Sequence, residues 1–313
     1  MIKIYKTTKT QLKEINSFQK DSWANIVNPT KEELEKVSKD LKIPLDFLTD
    51  PLDVDERARI EIEDKVTLIV LRIPRFEGND TDIPFDTIPL GIILVDDLIV
   101  TICINETDVL NDFLKGKVKF FSTSNRSRFL LRVLLKTSQL YLTYLKDINR
   151  RTSLVEKELH KAMKNEELIK LLNIEKSLVS FASSLRSNEL MMEKLPKVRI
   201  IVMNEDNKDF LEDVIVDNKQ AIEMANIYSN ILSGMMDAFA SVISNNLNVV
   251  LKFLTSITII LMIPTLIASI YGMNVPLPGG TVEGDLSSFT LIMIVSLLFS
   301  IMGVLVFWKR KWF

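Results

Sequence analysis

Cysteine and histidine are almost absent: 313 residues contain one of each, Cys103 and His160. A single cysteine excludes an intramolecular disulfide framework, so nothing ties the chain to an oxidising compartment. The two residues supply too few ligands for a zinc site. No glycine-rich phosphate loop and no nucleophile motif occurs, which makes an enzyme the weakest reading. The chain also lacks a basic block of the kind that binds nucleic acid. Met1–Lys6 has no long apolar core, so no signal peptide is expected. Cys103 lies in the apolar run Leu98–Ile104 and is expected in a buried core.

Charge is missing locally rather than overall. Net charge is −2, but of the 39 Lys/Arg and 41 Asp/Glu only four and two, respectively, lie from Asn248 onward. None falls between Phe253 and Val282, and none between Leu286 and Trp308. Within the first window Val249–Ile270 is nearly all apolar and long enough to cross a bilayer as a helix. The second window gives a second span, over about 288–308. Between them Val275-Pro276-Leu277-Pro278-Gly279-Gly280 cannot be helical. The C-terminal part is therefore a hairpin of two spanning helices, touching lipid.

The connecting loop has no Lys or Arg, only Glu283 and Asp285, whereas Lys252 and the tail Trp308-Lys309-Arg310-Lys311-Trp312 flank the other side. By the positive-inside bias the loop faces outward. Both termini and the whole soluble region are then expected in the cytoplasm, and the protein in the cell (inner) membrane. Ile88–Ile104 is also apolar, but Asp96-Asp97 splits it, and it reads as a soluble β-hairpin.

The soluble region has two characters. Ile2–Lys6, Ala24–Val27, Ile60–Ile62 and Val66–Ile73 read as strands. Thr30 with Glu33 forms a capping box opening a helix to about Leu41, Pro44 begins another short helix, and Pro74–Pro89 reads as a polar loop. This gives an α/β domain over 1–124. A helical stalk region follows over 125–247, with Ser127–Lys164 and Glu167–Met192 at helical period, and the membrane domain occupies 248–313. Proline is absent between Pro196 and Pro264. One helix from Lys208 to Ile270, roughly 95 Å at 1.5 Å per residue, is expected to run from the stalk into the first span. Val214, Ala221, Tyr228, Met235, Val242 and Val249 recur every seven residues, with Met224, Ile231 and Ala238 as a companion line, the pattern of a coiled-coil-like seam.

At 100° per residue, Asn248, Leu251, Thr255, Thr258, Met262, Thr265 and Ser269 fall within roughly a 100° arc of the first span. Hydroxyls in membrane helices often bond the carbonyl four residues back or join helices. A line of them instead suggests a water-lined path, which one helix cannot enclose, so an oligomer is expected. The span has no Asp, Glu, His or Cys, hence no inner-sphere cage for a divalent metal. Mg2+ sheds water reluctantly, and neutral oxygens can accept hydrogen bonds from the waters it keeps. The alternative reading, a scaffold that the hairpin merely anchors, predicts no such stripe.

The first span ends in Tyr271-Gly272-Met273-Asn274. With that motif at the outer end of the first of two C-terminal spans, a long stalk helix, an α/β domain and a basic tail, the chain resembles the CorA family of magnesium transporters along its full length. The resemblance implies a homopentamer carrying hydrated Mg2+, with Co2+ and Ni2+ as further candidates, and Tyr271, Gly272, Met273 and Asn274 as the selectivity filter. It places inner pore positions on Asn248, Leu251, Leu254, Met262 and Thr265, with a hydrophobic constriction at Leu251 and Leu254. It also implies Mg2+ as a cytoplasmic regulator, held at Asp213 within the acidic run Glu205, Asp206, Asp209, Glu212, Asp213, Asp217. The alternative for such acids is simple compatibility with a helix N-terminus. A zinc transporter of the same superfamily is the rival function; those typically carry Ile at the position of Met273.

Overall fold

The computed structural model describes all residues except 9–10, 79–80, 119–120, 162–164, 199–200, 274–285, 311 and 313. The chain divides into two compact units, Met1–Met235 and Met236–Phe313.

The N-terminal unit is built on a seven-stranded mixed sheet in the order β2-β1-β3-β7-β6-β5-β4. The strands are β1 (Ile2–Thr8), β2 (Gln11–Ile15), β3 (Ser22–Val27), β4 (Arg59–Glu63), β5 (Val66–Phe76), β6 (Phe85–Val95) and β7 (Leu98–Cys103). Only β3 and β7 pair in parallel. Their connection carries α1 (Lys31–Leu41), α2 (Leu45–Thr49) and the β4–β6 meander. Thr30 and Glu33 close the expected capping box on α1.

Side chains alternate across a strand, and here both faces are covered. Leu68, Val70, Ile93, Val100 and Ile102 meet Leu34, Val37, Phe47 and Leu48 of α1 and α2. Ile69, Leu71, Ile88, Leu90 and Ile92 meet the opposite helical layer. That layer comprises α3 (Asp108–Leu114), α4 (Arg126–Lys161), α5 (Asn165–Met192) and the start of α6 (Glu205–Tyr271). Double coverage explains why the run Ile88–Ile104 is so apolar. Asp96 turns the hairpin with φ of 44°. Cys103 is 1% exposed, donates to Pro89 O at 3.3 Å, and burial pushes its thiol up to about 11. It is a core residue, as expected.

The polar loop expected over Pro74–Pro89 is shorter. β5 and β6 stay paired out to Phe76↔Phe85, with Pro74 opposite Thr87 and Arg72 opposite Pro89. Two causes extend them. Phe85 is buried among Phe76, Tyr144 and Phe181. Both prolines also lie beyond the stretches where a third strand pairs, since β4 reaches only Val70 of β5 and β7 only Gly91 of β6. A missing N–H costs little where a strand has one neighbour.

Gly91 marks the tightest approach in the sheet. A Cβ there would lie 2.5 Å from Pro51 Cγ and 2.7 Å from Ile102 Cγ2. Gly91→Ala is therefore expected to destabilise the chain by about 1–3 kcal/mol through overpacking, read as a lowered thermal midpoint of the purified protein. An unchanged midpoint would mean that the Pro51 turn moves aside freely.

Candidate functional site

The membrane-type unit is the second half of α6 and α7 (Leu286–Lys309). Both helices are long and apolar enough to cross a bilayer. α6 runs unbroken through Pro264. Nearly every large apolar residue of both helices is exposed in the single chain, as lipid or neighbouring copies require.

The exceptions identify the face of α6 turned to α7. Ser256 is fully buried, and Ile257, Ile260, Ile263, Pro264 and Ile267 are half-buried. A Cβ on Gly303 of α7 would touch Ile263 and Ile260 at 3.4 and 3.6 Å. At 100° per residue this face lies roughly opposite the polar stripe. Asn248, Leu251, Thr255, Thr258, Met262, Thr265 and Ser269 are all exposed, and Leu254, at the stripe's edge, is 59% exposed. The structure thus puts the stripe on the side of α6 that α7 leaves free.

Individual hydroxyls divide between two behaviours. Thr258 and Thr265 donate to the carbonyls of Leu254 and Leu261 four residues back, at 2.9 and 3.1 Å, and Ser256 does the same to Lys252 at 2.7 Å. This satisfies the hydroxyl hydrogen and leaves the oxygen lone pairs available. Thr255 and Ser269 have no hydrogen-bond partner among the described residues. Gly272 N–H donates to Ala268 O at 2.9 Å and Met273 N–H to Ile270 O at 3.3 Å, which continues the helix-end bonding past Tyr271. Tyr271 and Met273 are exposed. Asn274 and the connecting loop lie outside the described residues. At the end of α7, Trp312 stacks on Phe307 with ring centroids 5.3 Å apart, beside Lys309 and Arg310.

The first half of α6 packs on its own unit through a heptad seam, but one line of that seam differs from expectation. Val214 and Ala221 are buried, and Tyr228 and Met235 are half-buried. The companion line is Leu211, Asn218, Ala225 and Leu232, not Met224 and Ile231. Asn218 explains why it is hidden in the sequence: it is polar yet buried, its Nδ2 donating to Leu185 O of α5 at 3.0 Å. Further along the heptad line, Val242 and Val249 are 41% and 54% exposed. Ile227 and Ile231 are each 53% exposed on the free side. Asp213 is exposed, as are Glu205, Asp206, Asp209 and Glu212. Among the described residues no group of three or more His, Cys, Asp or Glu side chains is placed to hold a metal ion.

A two-helix C-terminal unit fed by one unbroken helix from a mixed α/β unit is a combination with known relatives. The profile of the CorA-like Mg2+ transporter protein family matches residues 19–311. The chain belongs to the CorA family. The cobalt/magnesium transport protein CorA of Methanocaldococcus jannaschii is 27% identical over 295 residues, covering 93% of this chain and 90% of that protein. The magnesium transport protein CorA of Helicobacter pylori is 24% identical, covering 80% and 79%. The complete structure of the CorA magnesium transporter from M. jannaschii superposes with a TM-score of 0.84 at 26% identity, over 100% of this chain and 99% of that one. The cytoplasmic domain of ZntB from Vibrio parahaemolyticus shares the fold alone, at 11% identity and a TM-score of 0.61 over 79% of this chain and 97% of that one. The CorA membership fixes the fold class: an α/β soluble part, long helices and a C-terminal pair of apolar helices.

Proposed function

We propose that the chain is a homopentameric membrane transporter for hydrated Mg2+, with Co2+ and Ni2+ as further cargo. The observation that carries this reading is the polar stripe on the free face of α6, opposite the face that packs on α7. A stripe so placed has two possible neighbours, lipid or the same helix of other copies. Hydroxyls and the Asn248 amide are costly against lipid and useful around an axis. The relatives named for magnesium and cobalt transport support the cargo.

In this reading the first span of each copy lines the path. The stripe presents neutral oxygens, which accept hydrogen bonds from the ion's own waters and let it leave again, as conduction demands. Leu251 and Leu254 form an apolar constriction that closes by excluding water. Tyr271, Gly272, Met273 and Asn274 form the outer mouth, with the Asn274 amides as the ring that meets the hydrated ion. Met273, where zinc carriers of the superfamily typically have Ile, favours magnesium. Both termini are cytoplasmic, placing the N-terminal unit where Asp213 can sense Mg2+. Among the described residues Asp213 belongs to no group of three or more carboxylates placed to hold a metal ion, and in this reading its partner acid is supplied across a subunit contact.

Two experiments test this. Uptake by vesicles containing the purified protein is expected for Mg2+ and not for Zn2+; no uptake of any divalent ion would leave the anchored-scaffold reading. Single cysteines at Thr258, Met262 or Thr265, in a Cys103→Ser background, are expected to cross-link subunits. Cross-linking from α7 positions only would assign the lining to the wrong helix.

A further inference from the structure

Ser180, Ser183, Ser184 and Ser187 of α5 lie three, one and three residues apart, the spacing of one helix face. That face is one wall of a groove of about 580 Å³, and the segment Asp55–Arg59 leading into β4 forms part of the other. The volume is in the range of small-molecule sites, about 300–1,000 Å³.

The floor of the groove is densely hydrogen-bonded. Arg72 donates to the carbonyls of Val54, Glu56 and Thr87 and, at 2.7 Å, to Thr87 Oγ1. Thr87 Oγ1 also lies 2.8 Å from Ser184 Oγ and 3.2 Å from Ser180 Oγ. Ser187 accepts from Ala58 N–H at 3.1 Å. Arg59 is held by Asp50, Glu56 and Glu61. These bonds tie α5 and the Asp55–Arg59 segment to β5 and β6.

The rim is different. Arg57, Arg186 and Lys194 line the groove, and none of their side chains has a carboxylate or any other hydrogen-bonding partner among the described residues. The Ser183 hydroxyl is also unbonded. Of the five cations in the lining, Arg59 is taken by Asp50, Glu56 and Glu61, which leaves Arg57, Arg72, Arg186 and Lys194 against Asp55. This local excess of positive charge stands in a chain whose net charge is −2. Three unpaired cations and a free hydroxyl, converging on a concave, prebonded floor, match an anion with several oxygens rather than a single carboxylate. Guanidinium forks suit the tetrahedral oxygens of phosphate.

We propose that this groove binds a small, soluble polyphosphate anion, either inorganic pyrophosphate or the phosphate chain of a nucleotide. Arg57, Arg186 and Lys194 contact the phosphate oxygens and Ser183 donates a further hydrogen bond. The site is independent of the ion path and of Asp213, so it stands even if the transport reading fails.

The test is titration calorimetry on the full chain in detergent, with EDTA present so that no metal complex forms. Three probes are used: inorganic pyrophosphate, ATP, and short-chain phosphatidylglycerol. Saturable binding of pyrophosphate or ATP at one site per chain is expected. Arg186→Ser and Lys194→Ser should each weaken it about tenfold, the scale of one charge-assisted hydrogen bond. Lys13→Ser, on the edge strand β2, should leave it unchanged. Thermal unfolding confirms that these surface variants fold. Three outcomes would overturn the proposal: no saturable binding, equal weakening by Lys13→Ser, or binding of phosphatidylglycerol alone.

Discussion

Asn274→Ala is expected to reduce Mg2+ uptake by about fiftyfold or more while the oligomer still assembles. In the proposed pentamer the amides would act additively around a ring. Each amide oxygen would contribute a neutral hydrogen bond to a water of the hydrated ion, worth about 0.5–1.5 kcal/mol. Five of them would sum to at least ~2.5 kcal/mol at the mouth, close to two powers of ten in a rate. The described neighbours Tyr271 and Met273 are exposed, but their side chains offer a phenol and a thioether, and the thioether is a weak acceptor. Uptake of radiolabelled or dye-reported ion into vesicles measures the effect, and size-exclusion mass measures assembly. An assembled Asn274→Ala protein with normal uptake would end the claim that this residue filters the ion.

Removing the carboxylate at Asp213 should change how the protein responds to Mg2+ rather than how fast the ion passes. Asp213 lies in a run of exposed acids at the start of α6. Packed near their counterparts on another copy, these carboxylates repel one another unless a divalent cation lies between them. Under the proposed sensing role, bound Mg2+ would favour a closed assembly by its differential affinity for that state, and only by that amount. Loss of Mg2+ would then free α6, which has no proline before Pro264 to absorb a motion toward the proposed Leu251/Leu254 constriction. The wild-type protein should be cleaved by protease several-fold faster in EDTA than in millimolar Mg2+. Asp213→Ala should narrow that difference, and Asp213→Lys should nearly remove it, because a fixed cation stands where the ion was. Identical cleavage of the wild type in EDTA and Mg2+ would discard the sensing role and leave the pore untouched.

Long periodic elements were readable from the residues alone. The helix expected over Lys208–Ile270 is observed over Glu205–Tyr271, and the second span over Leu286–Lys309. Both rest on repeated signals, absent proline and absent charge, which accumulate over many turns. Short elements were missed. The strand β2 reads QLKEI, with two of its five residues charged, because an edge strand with one neighbour buries little. The seven-residue helix α3 is too short to display a helical period, although its cap, Thr107 accepting from Leu110 N–H, is a legible signal.

The candidate pore face was likewise legible, since its residue types and spacing are properties of the chain. What the residues could not supply is which way that face turns. A helical wheel gives angles relative to the helix, and only the packing of Ile260 and Ile263 toward Gly303 assigns one side to α7 and frees the other. The same limit applies to the seam: Val214 and Ala221 mark one line, but whether the second falls three or four residues away depends on α5, whose Leu185 carbonyl accepts the buried Asn218 amide. The serine groove shows it most plainly. Its cations come from segments far apart in the chain, and each alone is an ordinary surface residue. Hydrophobic period and charge are local, so the sequence by itself determined the long elements, the apolar helices and the stripe. Which faces meet, and which polar groups are left without a partner, depends on contacts between distant residues, and only the tertiary structure decided those.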